Sequence, residues 1–406
     1  MTDRPRTLRT MAASLLLAGC ASVEPPSAVD AAATPQAAEA SRQLHAQAQQ
    51  ALVARLVQRV QARGDHTLDI LMLSGGGQHG AYGVGFLRGW RRHPSQPMPR
   101  FDLVTGVSTG ALQAPFALLG SEAALEQAAG LYREAADRIA PGFDWWFWLN
   151  RSGGVLDTTR YRQAVEEVLS PGLAQALGEQ FAEGRDIAIA TSDFDLGTGR
   201  LWRLSQVLAD EDGLPRARSL FIASSAIPGA FPPVVIDGRV HADGGIVSNL
   251  LVAPDRDGLR LLAEALPAAG IRQPVTVRLW VVMNLWTHPR PMAVDPHSVL
   301  SMSRRSALML FWAQQPQLLQ GLQDMVRLAG LDHPQLQLQL RVTSIPSELA
   351  TDAAADKLFD RAWMARMEAL GQARALSANP WDQPSTIYAR PPPVALPPAG
   401  PGSGAR

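Results

Sequence analysis

From Thr67 onward, short apolar runs alternate with longer segments in which apolar residues recur every three or four positions. The short runs have the length of buried strands, and the longer segments have the periodicity of helices that bury one face. Strands are predicted at 68–73, 101–104, 186–192, 201–204, 234–236, 275–283 and 335–343. Helices are predicted at 80–90, 111–119, 122–139, 158–169, 216–225, 254–267, 298–329 (interrupted at Pro316) and 352–376.

This alternation of strands and helices predicts the α/β class. We expect a three-layer α/β/α sandwich with a mostly parallel central sheet, because a helix between two strands lets the second run parallel to the first. In the last strand, Leu336, Leu338, Leu340 and Val342 alternate with polar residues. Such alternation indicates one buried and one exposed face, which predicts a position at the edge of the sheet.

The N-terminal residues follow a different pattern. Three arginines precede an apolar run over 11–18, which Leu17-Ala18-Gly19-Cys20 closes. This pattern is typical of a signal peptide over 1–19, and its end resembles the lipobox of bacterial lipoproteins. The resemblance implies that Cys20 becomes the lipidated N-terminus and that the membrane surface is a partner through this anchor. Ala21 at the next position implies an outer-membrane lipoprotein of the bacterial cell envelope that faces the periplasm.

An ordinary secretory signal with a stray cysteine, or a misassigned start, is the alternative to a lipoprotein.

Ser41 is a plausible N-cap of the first helix, and Gly64 is its stop. Alanine, proline and serine dominate the segment before that helix, which is typical of a flexible tether. The remaining organisation is predicted as a tether at 20–40, an N-terminal helix at 41–65, an α/β domain at 66–345, a C-terminal helical extension at 346–380 and a proline-rich disordered tail at 381–406.

Composition narrows the classes of partner. The 406 residues include 37 basic and 37 acidic side chains, so the formal net charge is zero and nothing favours nucleic acid as a partner. Cys20 is the only cysteine, which excludes an intrachain disulfide. The histidines are scattered along the chain, and we expect neither a metal site nor a cofactor. The oligomeric state is not indicated by the sequence.

Thr105-Gly106-Val107-Ser108-Thr109-Gly110-Ala111 follows a predicted strand and precedes a predicted helix. Gly-x-Ser-x-Gly in this context is typical of a nucleophile elbow, a turn so sharp that the flanking Gly106 and Gly110 leave no room for a Cβ. The helix that follows directs its first N–H groups and the positive end of its dipole toward Ser108. The motif therefore makes Ser108 a candidate nucleophile.

The first strand runs into a glycine-rich loop, Gly75-Gly76-Gly77-Gln78-His79-Gly80. Such a loop lets the backbone approach a ligand closely and direct N–H groups at an anion, as an oxyanion hole requires. The same glycines also match a dinucleotide-binding fingerprint, which needs an acidic residue at the end of the second strand. Asp102 lies at the beginning of that strand instead, and this disfavours the dinucleotide interpretation.

Two further segments complete the pattern: Ala223-Ser224-Ser225-Ala226-Ile227-Pro228-Gly229-Ala230-Phe231-Pro232-Pro233 and His241-Ala242-Asp243-Gly244-Gly245. With the glycine loop and Ser108, this set resembles the patatin-like phospholipase family over about residues 68–285. Gly154-Val155-Leu156-Asp157-Thr158 and Ala190-Thr191-Ser192-Asp193 fit the family more weakly. The sequence departs from the family at His79, where Arg or Lys is usual, so the positive charge near the loop at neutral pH is in question.

The resemblance implies a Ser–Asp dyad, in which Ser108 attacks an ester carbonyl and Asp243 is the base, with Gly244 and Gly245 allowing the close approach. It also implies phospholipase A or lysophospholipase activity on phospholipid or other acyl esters. Two alternatives stay open: an esterase with a Ser–Asp–His triad that uses His288 or His333, and a lipoprotein that binds lipid without hydrolysing it. His241 is more consistent with hydrogen-bonded support than with catalysis.

The segment Phe143-Asp144-Trp145-Trp146-Phe147-Trp148-Leu149 carries three of the ten tryptophans. It is either a buried anchor between helices, or a wall of an acyl-chain pocket or an interfacial patch, since indoles favour the boundary between membrane and water.

Overall fold

The computed structural model describes residues 28–146, 149, 152–288 and 291–382. Cys20, the predicted signal peptide and all of the proline-rich tail except Trp381 and Asp382 lie outside these residues. The chain divides into two compact units between Leu44 and His45. In the first unit, the described residues belong to helix α1 (Ala28–Arg63), and Arg42 pairs there with Glu39 at 2.6 Å. The second unit contains the sheet and all the remaining described elements.

Helix α1 begins at Ala28, within the segment for which we predicted a flexible tether, and Ser41 lies inside the helix rather than at its N-cap. Residues 28–40 contain many alanines, and alanine has the highest intrinsic helix propensity. Pro35 lies within this stretch. Over 28–40 the structure therefore differs from the tether prediction, which rests on the small number of core-forming residues in this segment.

The second unit alternates strands and helices as predicted. Its strands are β1 (Thr67–Leu73), β2 (Leu103–Gly106), β3 (Gly142–Phe143), β4 (Leu156–Asp157), β5 (Asp186–Asp193), β6 (Thr198–Arg203), β7 (Val234–Ile236), β8 (Arg239–Asp243), β9 (Val275–Met283) and β10 (Leu336–Ser344). Its helices are α2 (Gly80–Arg91), α3 (Thr109–Leu119), α4 (Glu122–Arg138), α5 (Thr159–Val168), α6 (Pro171–Ala182), α7 (Leu204–Val207), α8 (Gly213–Ser224), α9 (Arg256–Ala268), α10 (Val299–Asp332) and α11 (Arg361–Ala375).

The central sheet has eight strands in the order β10-β9-β1-β2-β5-β8-β7, with β6 paired to β5. The pairs from β10 to β5 along this order are parallel, and the pairs of β5 with β6 and β8, and of β7 with β8, are antiparallel. The prediction of a mostly parallel sheet is confirmed, and β10 lies at the edge as its alternating pattern predicted.

Helices cover both faces of the sheet. Along β1, Leu68, Ile70 and Met72 pack into the core that α1, α9 and α10 cover, whereas Leu71 and Leu73 pack into the core beneath α2, α3, α8 and α11. A strand buried on both faces needs apolar residues at every position, which explains the continuous apolar run in this part of the sequence. The three-layer α/β/α prediction is confirmed.

Two helix predictions need correction. Helix α10 continues through Pro316, because the residues around it, Gln315, Leu319 and Leu322, are buried in tertiary contacts that outweigh one lost backbone hydrogen bond. Residues 352–360 are not α-helical: a 3₁₀ turn forms at Ala353–Asp356, and α11 begins only after Asp360, whose carboxylate accepts from the N–H of Trp363 at 2.9 Å. Asp360 therefore acts as an N-cap and sets the start of the helix.

Candidate active site

Ser108 occupies the sharp turn between β2 and α3. Its φ is 52° and its ψ is −122°, a region that residues other than glycine rarely adopt. A Cβ at Gly106 would lie 2.6 Å from the backbone of Ala111, and a Cβ at Gly110 would lie 2.3 Å from the carbonyl oxygen of Leu73. The turn therefore has the geometry that Gly-x-Ser-x-Gly predicts.

The turn is held by a buried hydroxyl from another helix. The N–H of Ser108 donates to Oγ of Ser224 at 3.0 Å, and Ser224 is the last residue of α8 and fully buried. Ser224 belongs to the Ala-Ser-Ser-Ala segment recognised in the sequence. This contact gives that segment a physical role, because it fixes the backbone of the strained turn.

The glycine loop lies directly against Ser108. A Cβ at Gly75 would come within 3.2 Å of Cβ of Ser108 and within 2.5 Å of Oδ1 of Asn249, and a Cβ at Gly76 would collide with the carbonyl oxygen of Asn284. Only glycine fits where the two turns touch. The loop and the serine turn, which lie at the carboxyl ends of the adjacent strands β1 and β2, therefore meet without side chains between them.

The loop's N–H groups divide into two sets. Within the protein, the N–H of Gly75 donates to the carbonyl of Asn249, that of His79 donates to Gly76, and that of Gly80 donates to Gln78 and Gly77. In the described part of the chain, the N–H groups of Gly76, Gly77 and Gln78 have no hydrogen-bond partner. Of the loop residues 75–80 predicted as oxyanion donors, these three have N–H groups that are available to an oxyanion.

His79 carries no charge at neutral pH. Burial lowers the pKa of its imidazole to about 4, and the nearby Asp356 opposes this only in part. Its Nδ1 accepts a hydrogen bond from Nε1 of Trp363, and its ring packs edge-on against Trp286 and Trp363. The side chain where the family resemblance implies Arg or Lys is therefore neutral.

Asp243 lies at the end of β8 with its carboxylate buried. The N–H of Gly245 donates to Oδ1 at 2.8 Å, and the Ser108 side chain is close enough to lower the pKa of the carboxyl group. The Asp243 backbone is fixed by its own N–H donating to Ala226 and by Ser192 Oγ donating to its carbonyl. Four separate sequence motifs thus converge on one serine–aspartate pair.

Burial raises the pKa of Asp243 to about 6, and the N–H of Gly245 and the side chain of Ser108 limit the rise. A carboxyl group with such a pKa is ionised over most of the neutral range and is basic enough to accept a proton from a hydroxyl in a transition state. The pair therefore has the chemical properties of a nucleophile and a base.

The candidate triad histidines lie elsewhere. His333 follows α10 and precedes the amino end of β10, whereas Ser108 lies at the carboxyl end of β2. Nδ1 of His288 lies 2.9 Å from Oγ1 of Thr287. His288 lines a different cleft from the one that contains Ser108. His241 contacts Thr191 at 3.1 Å, and this confirms its prediction as a hydrogen-bonded support.

An apolar cavity of about 130 Å³ opens at Ser108. Gly77 and Gln78 line it beside the serine, and Arg138 at its rim pairs with Glu134 and Glu167. Its walls come mainly from helices α3, α4, α5 and α8 and from the segment that precedes α11. They are formed largely by apolar side chains, among them Leu112, Leu131, Ile139, Val165, Val168, Leu169, Phe221, Phe231, Leu358 and Phe359.

The tryptophan-rich segment is exposed rather than buried. Trp145 is 77% exposed and Trp146 is 60% exposed, and neither lines the cavity, so the interpretations as buried anchor and as pocket wall are wrong for these two residues. The segment is hydrogen-bonded to Val155, the residue before β4: the N–H of Asp144 donates to the carbonyl of Val155, whose own N–H donates to the carbonyl of Gly229. Phe147 and Trp148 lie outside the described residues.

Asp102 confirms the argument against dinucleotide binding. It is buried at the amino end of β2, where it pairs with Arg59 at 2.9 Å and with Arg63 at 2.8 Å. The glycine loop lies at the other end of the sheet.

Within the described residues, no helix is both long enough and apolar enough to cross a bilayer.

Asn249 connects three parts of the site, although no sequence motif marks it. Its carbonyl accepts from Gly75, its side chain donates to Gln315 of α10 at 3.2 Å, and it lies six residues after Asp243. Asparagine is common in loops, so no sequence signal distinguishes this one. No sequence signal indicates the role of Trp363 either, because Trp363 lies far along the chain from His79.

Comparison with known proteins agrees with these motifs. The family model for patatin-like phospholipase matches residues 71–255. Among solved structures, VipD from Legionella pneumophila is similar to this chain at 11% sequence identity with a TM-score of 0.35, and it is one of 12 matching chains. That match covers 76% of this chain and 66% of VipD, so this chain spans slightly less than two thirds of that structure. No curated protein matches the chain.

Proposed function

Because the chain carries a patatin-like phospholipase domain at residues 71–255, we propose that the protein hydrolyses acyl esters of lipids by a Ser–Asp dyad. The phospholipase A and lysophospholipase reactions are the ones we favour. The observation that carries the proposal is that Ser108, which lines an apolar cavity, lies beside the buried carboxyl group of Asp243 and lowers its pKa.

In the proposed mechanism, Oγ of Ser108 attacks the ester carbonyl while Asp243 takes the hydroxyl proton. The carbonyl oxygen becomes an oxyanion, for which the N–H groups of Gly76, Gly77 and Gln78 are the available donors. Collapse of the intermediate breaks the ester C–O bond, and Asp243 returns the proton to the departing alcohol. A water molecule, deprotonated by Asp243, then releases the fatty acid from Ser108 by the same steps.

The cavity supports a lipid acyl chain as the group that is bound. Its walls are mostly apolar, so transferring a hydrocarbon chain from water into the cavity is favourable. His79 is neutral, so the oxyanion loop has no charged imidazole, and stabilisation must come from backbone N–H groups and from the start of α3.

A lipid surface fits the position of the exposed tryptophans. Trp145 and Trp146 are tied through Val155 to the Gly229 segment that borders the cavity, so a membrane bound by the indoles would lie close to the cavity. The proposed lipid anchor on Cys20 would add a second attachment to the membrane. We accordingly propose action at the periplasmic face of the outer membrane.

The alternatives separate in one experiment with a fluorophosphonate, which labels only an activated serine. We expect labelling of the wild-type protein, no labelling of Ser108→Ala, and release of fatty acid from a panel of phospholipids and short-chain esters. A protein that binds lipid vesicles but resists the probe is the non-catalytic lipoprotein. The triad esterase would lose labelling in His288→Gln or His333→Gln.

A further inference from the structure

The side chain of Gln78, in the middle of the glycine loop, is held by the C-terminal part of the chain. Its Nε2 donates to the carbonyl of Ala354 at 2.9 Å, and its Oε1 accepts from the N–H of Asp360 at 2.7 Å. Gln78 is buried, and the two ends of its amide are both used. Residue 78 therefore cannot rotate or shift without breaking contacts to residues about 280 positions later in the chain.

The next residue is held from the same direction. Trp363 Nε1 donates to His79 Nδ1 at 2.8 Å, and the indole ring lies 5.7 Å from the imidazole. We call residues 354–363 the strap. Three hydrogen bonds thus connect the strap to consecutive side chains of the loop whose N–H groups lie beside Ser108.

The strap is itself fixed in place. Asp360 caps α11, and α11 packs against α2 so closely that a Cβ at Gly85 would lie 2.0 Å from the carbonyl oxygen of Glu368. Helix α2 begins at Gly80, directly after the loop. The loop is consequently held between the start of α2 and the strap, and α2 packs closely on α11, the helix in which the strap ends.

The strap also forms part of the cavity wall. Leu358 and Phe359 line the cavity that opens at Ser108, and Phe359 has a φ of 57°, which turns the chain sharply before α11. The residues that hold the loop and the residues that border the acyl cavity are therefore neighbours in one short segment. This segment lies beyond the family match at 71–255.

We propose that the strap positions the oxyanion loop, with Gln78 and Trp363 as positioning residues for the N–H groups that stabilise the transition state. The proposal rests on the proposed hydrolase function. It requires no contact of the strap with the reacting atoms: Gln78 sets the location of the loop, and Trp363 fixes the imidazole that follows it. Donors displaced by a fraction of an ångström stabilise the oxyanion poorly although the substrate still binds.

The test compares Gln78→Met and Trp363→Phe with Arg361→Gln in the full-length protein. Methionine has a length similar to glutamine but makes neither hydrogen bond, and phenylalanine keeps an aromatic ring without the N–H donor. Arg361 is an exposed strap residue that pairs with Asp137 and makes no contact with the loop, so it is the matched control. For each protein, kcat and KM for a soluble ester, the rate of fluorophosphonate labelling and the thermal unfolding temperature are measured.

We expect Gln78→Met to lower kcat and the labelling rate by about 10- to 100-fold, with KM within about threefold of wild type. Trp363→Phe should act in the same direction, and Arg361→Gln should match wild type. Full kcat in both Gln78→Met and Trp363→Phe, or a raised KM with unchanged kcat, overturns the proposal while hydrolysis stands. If Gln78→Met does not fold, Trp363→Phe decides by the same criterion. A wild type inert to both ester and probe removes the hydrolase and the strap together.

Discussion

The indole Nε1 of Trp363 donates a hydrogen bond to Nδ1 of His79 over 2.8 Å. Because an indole N–H can only donate, Nδ1 must be unprotonated and the imidazole proton must lie on Nε2. Burial lowers the pKa of His79 to about 4 and so acts in the same direction. The hydrogen bond and the lowered pKa therefore agree that the side chain at position 79, where Arg or Lys is usual, is uncharged.

The first prediction concerns the pH profile. As a base, Asp243 must be deprotonated, and burial raises its pKa to about 6, so kcat/KM should rise with pH through about 6 and level off above. His79, with a pKa lowered to about 4, stays neutral over that range, so His79→Gln should leave the midpoint in place. Assays with a soluble ester from about pH 4.5 to about pH 8 check this.

A midpoint that moves in His79→Gln would contradict the assignment of the acidic limb to Asp243. The midpoint alone does not identify the base, because an ordinary histidine titrates near 6.5. Kinetics of variants are therefore needed beside the profile.

The second prediction concerns Ser108. Ser108→Ala should reduce ester hydrolysis by a factor on the order of 10⁶, because the nucleophile is lost, and should leave the protein folded. Ser108→Gly should be equally inactive yet more stable, by about 1 kcal/mol, because glycine adopts the positive φ of 52° without strain. Turnover and thermal unfolding of both variants are measured. Activity within tenfold of wild type would show that the elbow is misassigned.

The third prediction compares Asp243 with the histidines. Asp243→Asn should be nearly as inactive as Ser108→Ala, because asparagine cannot accept the proton. His241→Gln, His288→Gln and His333→Gln should each retain most of the activity. The dyad is wrong if one of these histidine variants abolishes turnover in a folded protein while Asp243→Asn keeps a tenth or more.

The fourth prediction follows from the same carboxyl group and concerns stability. The pKa of Asp243 in the folded protein, about 6, is above the ordinary value of 3.8, so folding favours the protonated carboxyl group. The stability that Asp243 contributes to the folded protein is therefore complete below about pH 3.8 and is lost as the pH rises through 6. At pH 8, Asp243→Asn should therefore raise the free energy of unfolding by up to about 3 kcal/mol, and the difference should shrink toward pH 4. Urea titrations at both pH values measure it; a difference that grows on acidification has the wrong sign.

The fifth prediction separates membrane contact from chemistry. Replacing Trp145 and Trp146 together by serine should lower hydrolysis of phospholipid vesicles about tenfold or more, because the exposed indoles can no longer enter the interface. Hydrolysis of a soluble ester should not change, since neither residue lines the cavity. Leu331→Ser is the control, because Leu331 is 73% exposed at the opposite end of the sheet. Equal losses on both substrates would argue for a structural role.

Local patterns were enough to predict much of the fold and of the site. The strands of the sheet, the elbow at Ser108 and the turn at Asp243 depend on residues that are neighbours in sequence, so periodicity and glycine placement reveal them. The helix through Pro316 was not predicted, since burial of Gln315 and Leu319 decides it. The charge state of His79 and the fixation of Gln78 depend on residues 354–363, and no local pattern encodes a contact across that separation.

The order of the strands has a consequence for where this protein can be divided. The family match begins at Leu71, inside β1, and ends at Asp255, before β9. Yet β9 pairs with β1 along its entire length, from Thr67 to Leu73, and separates β1 from β10. A gene fragment cut at the limits of similarity would expose half of β1 as an unpaired apolar edge, the kind of edge that seeds aggregation. The segment that matches the family and the segment that can pair all of β1 are therefore different lengths of this chain.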